Sequence, residues 1–482
     1  MAINEILLYS VIFVPLLGAL ALPFIGRVSP RARNACAFIM VLASVICSAF
    51  IVPSALGSAP LVIKKIFPLG FNLVFTADGL AVFMALVSSF ISAVIILYSF
   101  GYISHYENQD EYYFMVVLFL GGMMGLVFSG NLVLMYLFWE ITAFTSWRLI
   151  GFFREESCVF KADKSFLMTC FGALLMLIGF ITLYQQSGSF DLSVIKESLK
   201  NNPLSNLAVI LILAGIFAKS ATLPFHTWLP DAGVAPSPVT ALLHAAILVK
   251  IGVYVYARLF VATFTVGEIW HTVVPLLAGI SALVAAGAAL VDTDLKRIIA
   301  YSTISQIGFI FLGFAVGMPI GIAGALLFIL MHGLAKAGLF LCAGIVEQNT
   351  KIKDITKLGG LIKTMPVTAV AFLFSAFSVM GIPPFGGFFG KYMVITASVL
   401  SGHVFIALLF LFCSLLTILY LFRVFNAVFL GEVKGSAAKE GSPVMVMSVS
   451  LFAFLSLAGG ILIQYPNSFV SAIVNQILAV AK

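Results

Sequence analysis

The sequence predicts an all-α polytopic membrane protein with about 14 transmembrane helices. We expect two inverted five-helix repeats, helices 4–8 and helices 9–13, with a break in helix 7 and another in helix 12. Of the 482 residues, 62% are hydrophobic and only 9% are charged, whereas soluble domains carry about 25% charged residues. Apolar stretches long enough to cross a bilayer recur along the whole chain. Proline and glycine interrupt two of these stretches, five helices apart.

The predicted helices form a single membrane domain over residues 1–482. We expect helices 1–3 over 1–105, the first repeat over 112–262, the second repeat over 272–430, and a C-terminal helix and tail over 443–482. The tail from residue 466 onward is apolar but short, which indicates an interfacial helix or a docking segment. In chain order the helices are placed at 4–26, 33–54, 77–101, 112–129, 131–152, 164–186, 205–227, 237–262, 272–291, 296–316, 319–345, 365–397, 403–430 and 443–464.

The distribution of basic residues among the loops predicts the orientation, because cytoplasmic loops carry an excess of lysine and arginine. The loops after helices 1, 5, 9, 11 and 13 hold many more such residues than the loops on the opposite side. With an even number of helices, both termini are then expected on the non-cytoplasmic side of the cell inner (plasma) membrane. The first set is Arg27, Arg31, Arg33, Arg154, Lys161, Lys164, Lys296, Arg297, Lys351, Lys353, Lys357, Lys363, Lys434 and Lys439, and the opposite set is Lys64, Lys65, Lys196 and Lys200.

Helices 7 and 12 contain prolines that predict a break in each. Helix 7 carries Lys219 and then Pro224, and helix 12 carries Pro383-Pro384 and then Lys391. Proline removes a backbone donor and clashes with the preceding turn. Opened backbone survives within a membrane only where protein or water satisfies it. Two breaks five helices apart, each near a lysine, favour transporters built from inverted repeats.

Five ionisable residues lie inside predicted spans: Glu140, Lys219, Lys250, Lys336 and Lys391. On insertion scales each lysine costs about 2.5–3.5 kcal/mol at the centre of a helix. Intramembrane ionisable residues mark ion pathways more often than they serve structure. We therefore expect these residues to relay protons or other ions.

Glu140, in the middle of helix 5, requires a partner, and Lys219 of helix 7 is the best candidate. Burial disfavours the lysine's charged form and a nearby carboxylate favours it. A change in the influence of Glu140 would therefore switch Lys219 between holding and releasing a proton. The alternative is a static ion pair that only holds the helices together.

Two histidines accompany the other buried lysines. His244 and Lys250 are six residues apart on helix 8 and are expected to communicate through water, whereas His332 and Lys336 form an i, i+4 pair on helix 11. The alternative for each histidine is a simple hydrogen bond between helices. Lys391, after the break in helix 12, is expected to release ions to the far side.

Three arginines, Arg148, Arg258 and Arg423, lie nearer to helix ends and are expected to snorkel to the membrane interface. Another charged cluster falls in the loop between helices 9 and 10 and is expected to form a surface contact or a channel mouth. Its members are Asp292, Asp294, Lys296 and Arg297.

The sequence lacks the motifs that several classes of chemistry require. The six cysteines are dispersed without a CxxC pair, and no P-loop, dinucleotide fingerprint or metal-ligand cluster occurs. No cofactor and no metal site are therefore expected in this chain. The net charge of +7 arises from the loops, so the expected surroundings are the lipid bilayer and no nucleic acid. The driving force must come from an ion gradient or from a partner subunit.

Several motifs resemble the antiporter-like membrane subunits shared by three groups. The groups are respiratory complex I (the NADH-quinone oxidoreductase L, M and N type subunits), Mrp-type multi-subunit Na+/H+ antiporters, and group 4 membrane-bound hydrogenases. The resemblance covers almost the whole chain. Its most specific stretches are 138–140 with 149–152, 219–232, 235–245, 292–302, and 381–384 with 388–391.

The resemblance implies a role for each site residue. Glu140 is the carboxylate that modulates Lys219, His244 and Lys250 are the central relay, and the path then continues to the outlet. It also implies other antiporter-like and small membrane subunits as partners, with a peripheral redox arm on the cytoplasmic side. Iron–sulfur, flavin or nickel–iron centres are expected only in those partners, so this chain has no catalytic centre of its own. The remaining path residues are His332, Lys336 and, at the outlet, Lys391.

These observations favour an ion-translocating subunit of a redox-driven complex, moving protons or exchanging protons for Na+. The alternative is a subunit of a stand-alone multi-subunit Na+/H+ secondary antiporter without redox partners, and a third hypothesis is a scaffold that does not pump. His244 and Lys391 resemble the L type, whereas Trp147-Arg148 favours a hydrogenase-type complex. The sequence leaves the choice between H+ and Na+ open.

Overall fold

The computed structural model describes residues 3–57, 59–66, 72–200, 203–434 and 438–481. These parts of the chain are mostly helical, as predicted, with one added antiparallel hairpin in which Leu61 pairs with Ala77. The strands are β1 (Leu61–Ile66) and β2 (Asn72–Ala77), and the helices are α1 (Ile3–Gly18), α2 (Leu22–Val28), α3 (Pro30–Ala55), α4 (Gly79–Tyr102), α5 (Gln109–Phe128), α6 (Leu132–Ile150), α7 (Glu156–Ser187), α8 (Leu192–Ser198), α9 (Asn206–Lys219), α10 (Trp228–Asp231), α11 (Ser237–Ala241), α12 (Leu248–Tyr256), α13 (Trp270–Val291), α14 (Leu295–Ala315), α15 (Pro319–Thr350), α16 (Pro366–Met380), α17 (Gly386–Leu400), α18 (Val404–Phe429), α19 (Pro443–Ile461) and α20 (Gln464–Ala481).

Eleven helical stretches in the described part of the chain have the length and hydropathy of a membrane span. Three further apolar helices, α9, α16 and α17, are shorter because the chain breaks beside them. The polytopic membrane class is therefore confirmed, whereas the predicted count of 14 is not confirmed by this measure. The predicted tail forms α20, whose buried side packs on α4 and α15.

Local capping shifts several helix boundaries from their predicted positions. The α3 helix begins at Pro30 rather than at residue 33, because the Ser29 side chain accepts a hydrogen bond from the Ala32 amide at 3.3 Å. The α7 helix begins at Glu156 rather than at residue 164, so Lys161 and Lys164 lie on a helix and not in a loop. A carboxylate in the first turn stabilises such an early start.

Both predicted breaks are present. The α9 helix ends at Lys219 and not at residue 227, and α16 and α17 are separated by residues 381–385. The opened backbone at the first break is satisfied by protein groups: the Trp228 indole donates to the Ala218 carbonyl at 2.9 Å, and the Leu223 amide donates to Ser281 Oγ at 3.2 Å. Non-helical backbone inside a membrane must have its polar groups hydrogen-bonded by protein or water, and these contacts meet that condition.

Helix 8 is less regular than predicted. Its two α-helical parts, α11 and α12, are each followed by a π-helical turn, at Leu242–Ala246 and Ala257–Val261. Single π turns inside helices occur frequently at functional sites. The first turn contains His244 and the second contains Arg258.

The helices that carry Lys250 and Lys336 occupy the centre of the bundle. The stretch from α11 through the second π turn is wholly buried within the chain, and α14 and α15 are almost as deeply buried. The α1, α3, α7 and α18 helices bury much less of their surface and expose rows of large apolar side chains. Inward-facing ionisable groups and outward-facing apolar groups are what a bilayer requires.

Candidate ion-translocation site

Lys219 is the last residue of α9 and is fully buried. Its Nζ donates to the Trp139 carbonyl of α6 at 3.1 Å and lies 5.1 Å from the centre of the Trp139 ring. The ammonium group is therefore held by a carbonyl dipole and by the face of an aromatic ring. Because α9 ends at this residue, the following backbone leaves the helix axis beside the lysine.

Glu140 follows Trp139 on α6 and is only half-buried. Its carboxylate accepts a hydrogen bond from Cys170 Sγ at 3.7 Å. No ion pair joins Glu140 to Lys219, whose ammonium group contacts the Trp139 carbonyl and ring instead. On the same helix, Leu137 and Phe144 are 54% and 46% exposed, so the carboxylate lies near the outer apolar surface of the chain.

Lys250 of α12 contacts His332 of α15 directly, with Nζ 2.9 Å from Nδ1. The sequence pairs His332 with Lys336 on its own helix, but the structure brings it to a lysine of another helix, α12. Lys250 Nζ also lies 3.4 Å from the Ile329 carbonyl. This contact is the point where the ionisable groups of helices 8 and 11 meet.

His244 lies in the first π turn, fully buried, with its ring 4.4 Å from the ring of Phe340. Neither ring nitrogen has a hydrogen-bond partner among the described residues. The second ring nitrogen of His332, Nε2, also lacks a hydrogen-bond partner among the described residues. An unsatisfied buried polar group costs about 1–3 kcal/mol, so these nitrogens identify positions that suit buried water.

Lys336 and Lys391 complete the set of buried lysines. Lys336 Nζ donates to the Ile299 carbonyl of α14 at 3.0 Å. Lys391 Nζ lies 3.5 Å from the Met380 carbonyl, at the end of α16, and 4.6 Å from the centre of the Phe309 ring. Within the described ranges, none of the four lysines forms an ion pair with a carboxylate. Each therefore has carbonyl oxygen, an aromatic ring or histidine nitrogen as its neighbours.

The three arginines expected to snorkel are instead held by protein groups. Arg258 forms a bidentate ion pair with Asp78, in which Nη2 lies 2.7 Å from Oδ1. Arg148 pairs with Glu111, and Arg423 donates to the Asp292 carbonyl at 2.5 Å. Their partners come from distant parts of the sequence, so spacing along the chain gave no signal for them.

An ion-pair network covers one end of the bundle, where residues 292–294 and 351–365 connect the helices. We call this end the basic face. Asp231 accepts from Lys164 and from Arg297, both at 2.7 Å, and Arg297 also contacts Asp292 at 2.9 Å. Lys296 pairs with Glu347 at 2.6 Å. The predicted loop cluster is therefore joined to α7, α10 and α15.

At the opposite end, Asp191 organises the hairpin. Its carboxylate accepts from Lys64 at 2.9 Å, Asn72 at 3.0 Å and Asn131 at 2.6 Å. Burial raises the pKa of Asp191, but these hydrogen bonds outweigh that effect and the pKa is lowered. In the part of the chain that the structure describes, no group of three or more His, Cys, Asp or Glu side chains is placed to hold a metal ion.

Comparison with known proteins places this architecture in a family. Residues 129–417 match the model of the NADH:quinone oxidoreductase/Mrp antiporter transmembrane region. Residues 65–113 match that of the N-terminus of chain 5 of NADH-ubiquinone oxidoreductase (complex I).

Curated relatives and solved structures agree with this match. The chain is 32% identical to a Na+/H+ antiporter subunit (A1) of Staphylococcus haemolyticus over 97% of its length and 62% of the relative. It is 35% identical to the corresponding Na+/H+ antiporter subunit of Alkalihalophilus pseudofirmus over 87% of its length and 56% of the relative. The chain thus spans less than two thirds of either protein.

Two solved assemblies contain a chain of the same fold. One is the Mrp complex from Dietzia sp., with TM-score 0.90, 22% identity and full coverage of both chains. The other is a membrane-bound sulfane sulfur reductase, an archaeal respiratory membrane complex, with TM-score 0.89, 24% identity and 98% coverage of each. The chain belongs to the NADH:quinone oxidoreductase/Mrp antiporter family of multi-pass membrane proteins.

Proposed function

We propose that this chain is an ion-translocating subunit of a larger membrane complex and moves protons, or exchanges protons for Na+. The observation that carries the proposal is the contact between Lys250 and His332, which joins the buried basic groups of the two repeats. A buried lysine or histidine without a carboxylate partner is costly. Four such buried lysines are better explained by transport than by stability.

In this proposal the proton moves laterally along the membrane midplane. Glu140 acts on Lys219 across Trp139, and the opened backbone after Lys219 admits water. Protons then pass between groups that each bind and release one, with water bridging the unpartnered nitrogens of His244 and His332. The remaining residues of the proposed path are Lys250, Lys336 and Lys391.

The driving force is proposed to come from a redox-driven complex with a peripheral arm on the cytoplasmic side. Redox centres would lie only in partner subunits. The curated relatives are Na+/H+ antiporter subunits by name, which supports the alternative of a stand-alone multi-subunit antiporter. Copurifying chains distinguish the two: subunits with iron–sulfur motifs favour the redox complex, and their absence from an active complex favours the antiporter.

The proposed arrangement in the membrane follows the loop charges. We place the basic face in the cytoplasm and both termini on the opposite side of the inner (plasma) membrane. We also propose the division of the single domain 1–482 into helices 1–3 (1–105), two repeats (112–262 and 272–430) and a C-terminal segment (443–482).

The direct test is Lys219→Ala in the intact complex, reconstituted in sealed vesicles. We expect ion translocation to be lost while the complex still assembles. Lys357→Ala, at an exposed lysine of the basic face, is the control and should translocate normally. Unchanged translocation in an assembled Lys219→Ala complex would contradict the relay and favour the scaffold hypothesis.

A further inference from the structure

One stripe of α14 is polar although the helix is buried in the second repeat. Ser302, Thr303 and Gln306, together with the Ile299 carbonyl, follow the spacing i, i+3, i+4, i+7 and therefore lie on one face. All three side chains are fully buried. A polar stripe inside a membrane bundle needs partners on the facing helix.

The facing helix, α18, supplies those partners. Gln306 Nε2 donates to Thr417 Oγ1 at 3.2 Å, and the Tyr420 hydroxyl donates to Ser302 Oγ at 2.8 Å. Thr417 in turn donates to the Cys413 carbonyl at 2.8 Å. Cys413, Thr417 and Tyr420 are themselves spaced at i, i+4, i+7. Two polar rows therefore meet along about two helical turns.

The inner end of these rows reaches Lys391, whereas Lys336 contacts the same stripe of α14 about one turn nearer to the start of the helix than Ser302. Lys336 Nζ donates to the Ile299 carbonyl, on the same stripe of α14. Lys391 Nζ lies above Phe309, whose ring centre is 4.7 Å from that of Phe410 on α18. Gln306 is one turn from Phe309, so the polar rows begin about one turn below Lys391.

The outer end points to the basic face. The α14 helix begins at Leu295 on that face and α18 ends there, so Ser302 and Tyr420 lie nearer to it than Gln306 and Thr417 do. One turn beyond Tyr420, Arg423 donates to the Asp292 carbonyl at 2.5 Å and to the Ala289 carbonyl at 3.1 Å. The Arg423 Nε atom is buried without a partner among the described residues.

We propose that Ser302, Gln306, Thr417 and Tyr420 line a proton passage that leads from Lys391 to the basic face and that Lys336 joins beside Ile299. The inference rests on the proposed function and adds an access route to it. The sequence places an outlet to the opposite side at Lys391, whereas the hydrogen-bonded residues below this lysine lead to the basic face. The first step breaks an N–H bond of the Lys391 ammonium and forms an O–H bond on a water or hydroxyl of the row. Each later step breaks one O–H bond and forms another, Gln306 only positions its neighbours by hydrogen bonds, and the last proton passes to water at the face.

The groups present are able to transfer protons. Serine, threonine and tyrosine hydroxyls each donate one hydrogen bond and accept others, so they can exchange protons along a row. Gln306 Oε1 and the neighbouring Ser305 Oγ are buried and lack partners among the described residues. If the two rows served only to hold the helices together, these atoms would be expected to have hydrogen-bond partners within the protein. In a passage, water molecules supply those hydrogen bonds.

The first test compares matched variants of the intact complex in sealed vesicles. Thr417→Val should lower proton translocation about tenfold or more, within the range that a positioned proton donor contributes. Thr169→Val is its control, because Thr169 makes the same bond to the carbonyl four residues earlier, at 2.9 Å, on peripheral α7. Thr417→Ser keeps the hydroxyl and should restore the rate. Equal rates in the Val and Ser variants would overturn the passage.

A second pair of variants removes a phenolic hydroxyl. Tyr420→Phe should slow translocation, whereas Tyr98→Phe, which removes a buried hydroxyl that donates to the Leu341 carbonyl at 2.9 Å, should not. Loss of activity in both variants together with loss of assembly would indicate a structural role for these hydroxyls and would contradict the passage.

The third test determines the side to which the passage opens. Ag+, an ion small enough to follow water, is added to one side of vesicles carrying Ser302→Cys, and protection of that cysteine from alkylation is read by mass spectrometry. Protection should be faster from the basic face by about tenfold or more, as for a group that water reaches from one side. Ala300→Cys, also buried but about 200° away round α14, is the control. Faster reaction from the opposite face, or no difference from Ala300→Cys, overturns the proposal.

The outcomes separate this inference from the proposed function. Normal translocation in Lys219→Ala contradicts the relay as a whole. If translocation is lost in Lys219→Ala but proceeds at the normal rate in Thr417→Val and Tyr420→Phe, only the passage is contradicted.

Discussion

Lys250 and His332 join α12 to α15, with Nζ and Nδ1 2.9 Å apart and both side chains buried. The two residues are 82 positions apart in the sequence. Because a short N–N contact requires one group to donate and the other to accept, the pair shares a proton position.

We predict that Lys250→Met lowers ion translocation by about a hundredfold, as loss of a positioned proton carrier does. Methionine has a similar length but carries no proton. His332→Leu should have a comparable effect, and the double variant should be no slower than either single variant, because residues that act as one unit are not additive. Translocation by vesicles containing the assembled complex is the measurement. Additive losses would show that the two residues act separately, and Lys357→Met is the unaffected control.

Glu140→Gln should weaken turnover more than assembly. Glutamine keeps the shape of the half-buried side chain and removes its charge, and two unit charges ~6 Å apart at an effective dielectric near 20 interact by about 3 kcal/mol. We expect a several-fold lower translocation rate with an unchanged yield of complex, measured side by side. The exposed Glu156 provides the control Glu156→Gln. A normal rate in Glu140→Gln would remove the carboxylate from the relay.

The second helix break depends on a glycine. A Cβ atom on Gly387 would lie 1.9 Å from the Ser378 carbonyl oxygen, which is backbone and cannot rotate away. Gly387→Ala should therefore separate α16 from α17 and destabilise the chain by about 1–3 kcal/mol or more. Thermal unfolding of the purified complex measures the loss. Gly287→Ala on α13, where a Cβ meets nothing within 4 Å, should unfold at the native temperature, and equal behaviour of the two variants would contradict the packing argument.

The Asp191 site makes stability depend on pH. The carboxylate pKa is lowered in the folded chain, so its contribution is fully present above the unfolded value of about 3.9 and is lost as pH falls through the folded pKa. Asp191→Asn should lower the unfolding temperature at neutral pH, because Lys64 loses its charged partner. The difference from the native protein should shrink toward pH ~3. A difference that is constant between these pH values would show that the charge of Asp191 contributes nothing.

The membrane class and the breaks were predictable because each depends on local chemistry. Pro224 and Pro383-Pro384 cannot continue a helix whatever surrounds them, and the apolar stretches exclude a soluble domain. The hairpin of β1 and β2 is not predicted, since each strand is six residues long and Lys64-Lys65 interrupts the apolar pattern. Its anchor, Asp191, lies more than a hundred residues further along the chain.

The residues of the candidate path were identifiable from the sequence, but their neighbours were not. His332 is four residues from Lys336 on one helix, yet its ring nitrogen contacts Lys250. Glu140 has no ion pair with Lys219, because Trp139 provides both the carbonyl and the ring that hold the lysine. Nothing in the sequence near Ser302 or Gln306 indicates that Tyr420 and Thr417 face them.

Local sequence was enough to identify the ionisable residues inside the membrane, the helices that break, and the family to which the chain belongs. Helical periodicity also assigns each residue to a face of its own helix. Which faces meet depends on the packing of the whole bundle, because packing sets the rotation and depth of each helix relative to its neighbours. The contact between Lys250 and His332, the unpartnered nitrogens of His244, and the polar rows of α14 and α18 all result from that packing.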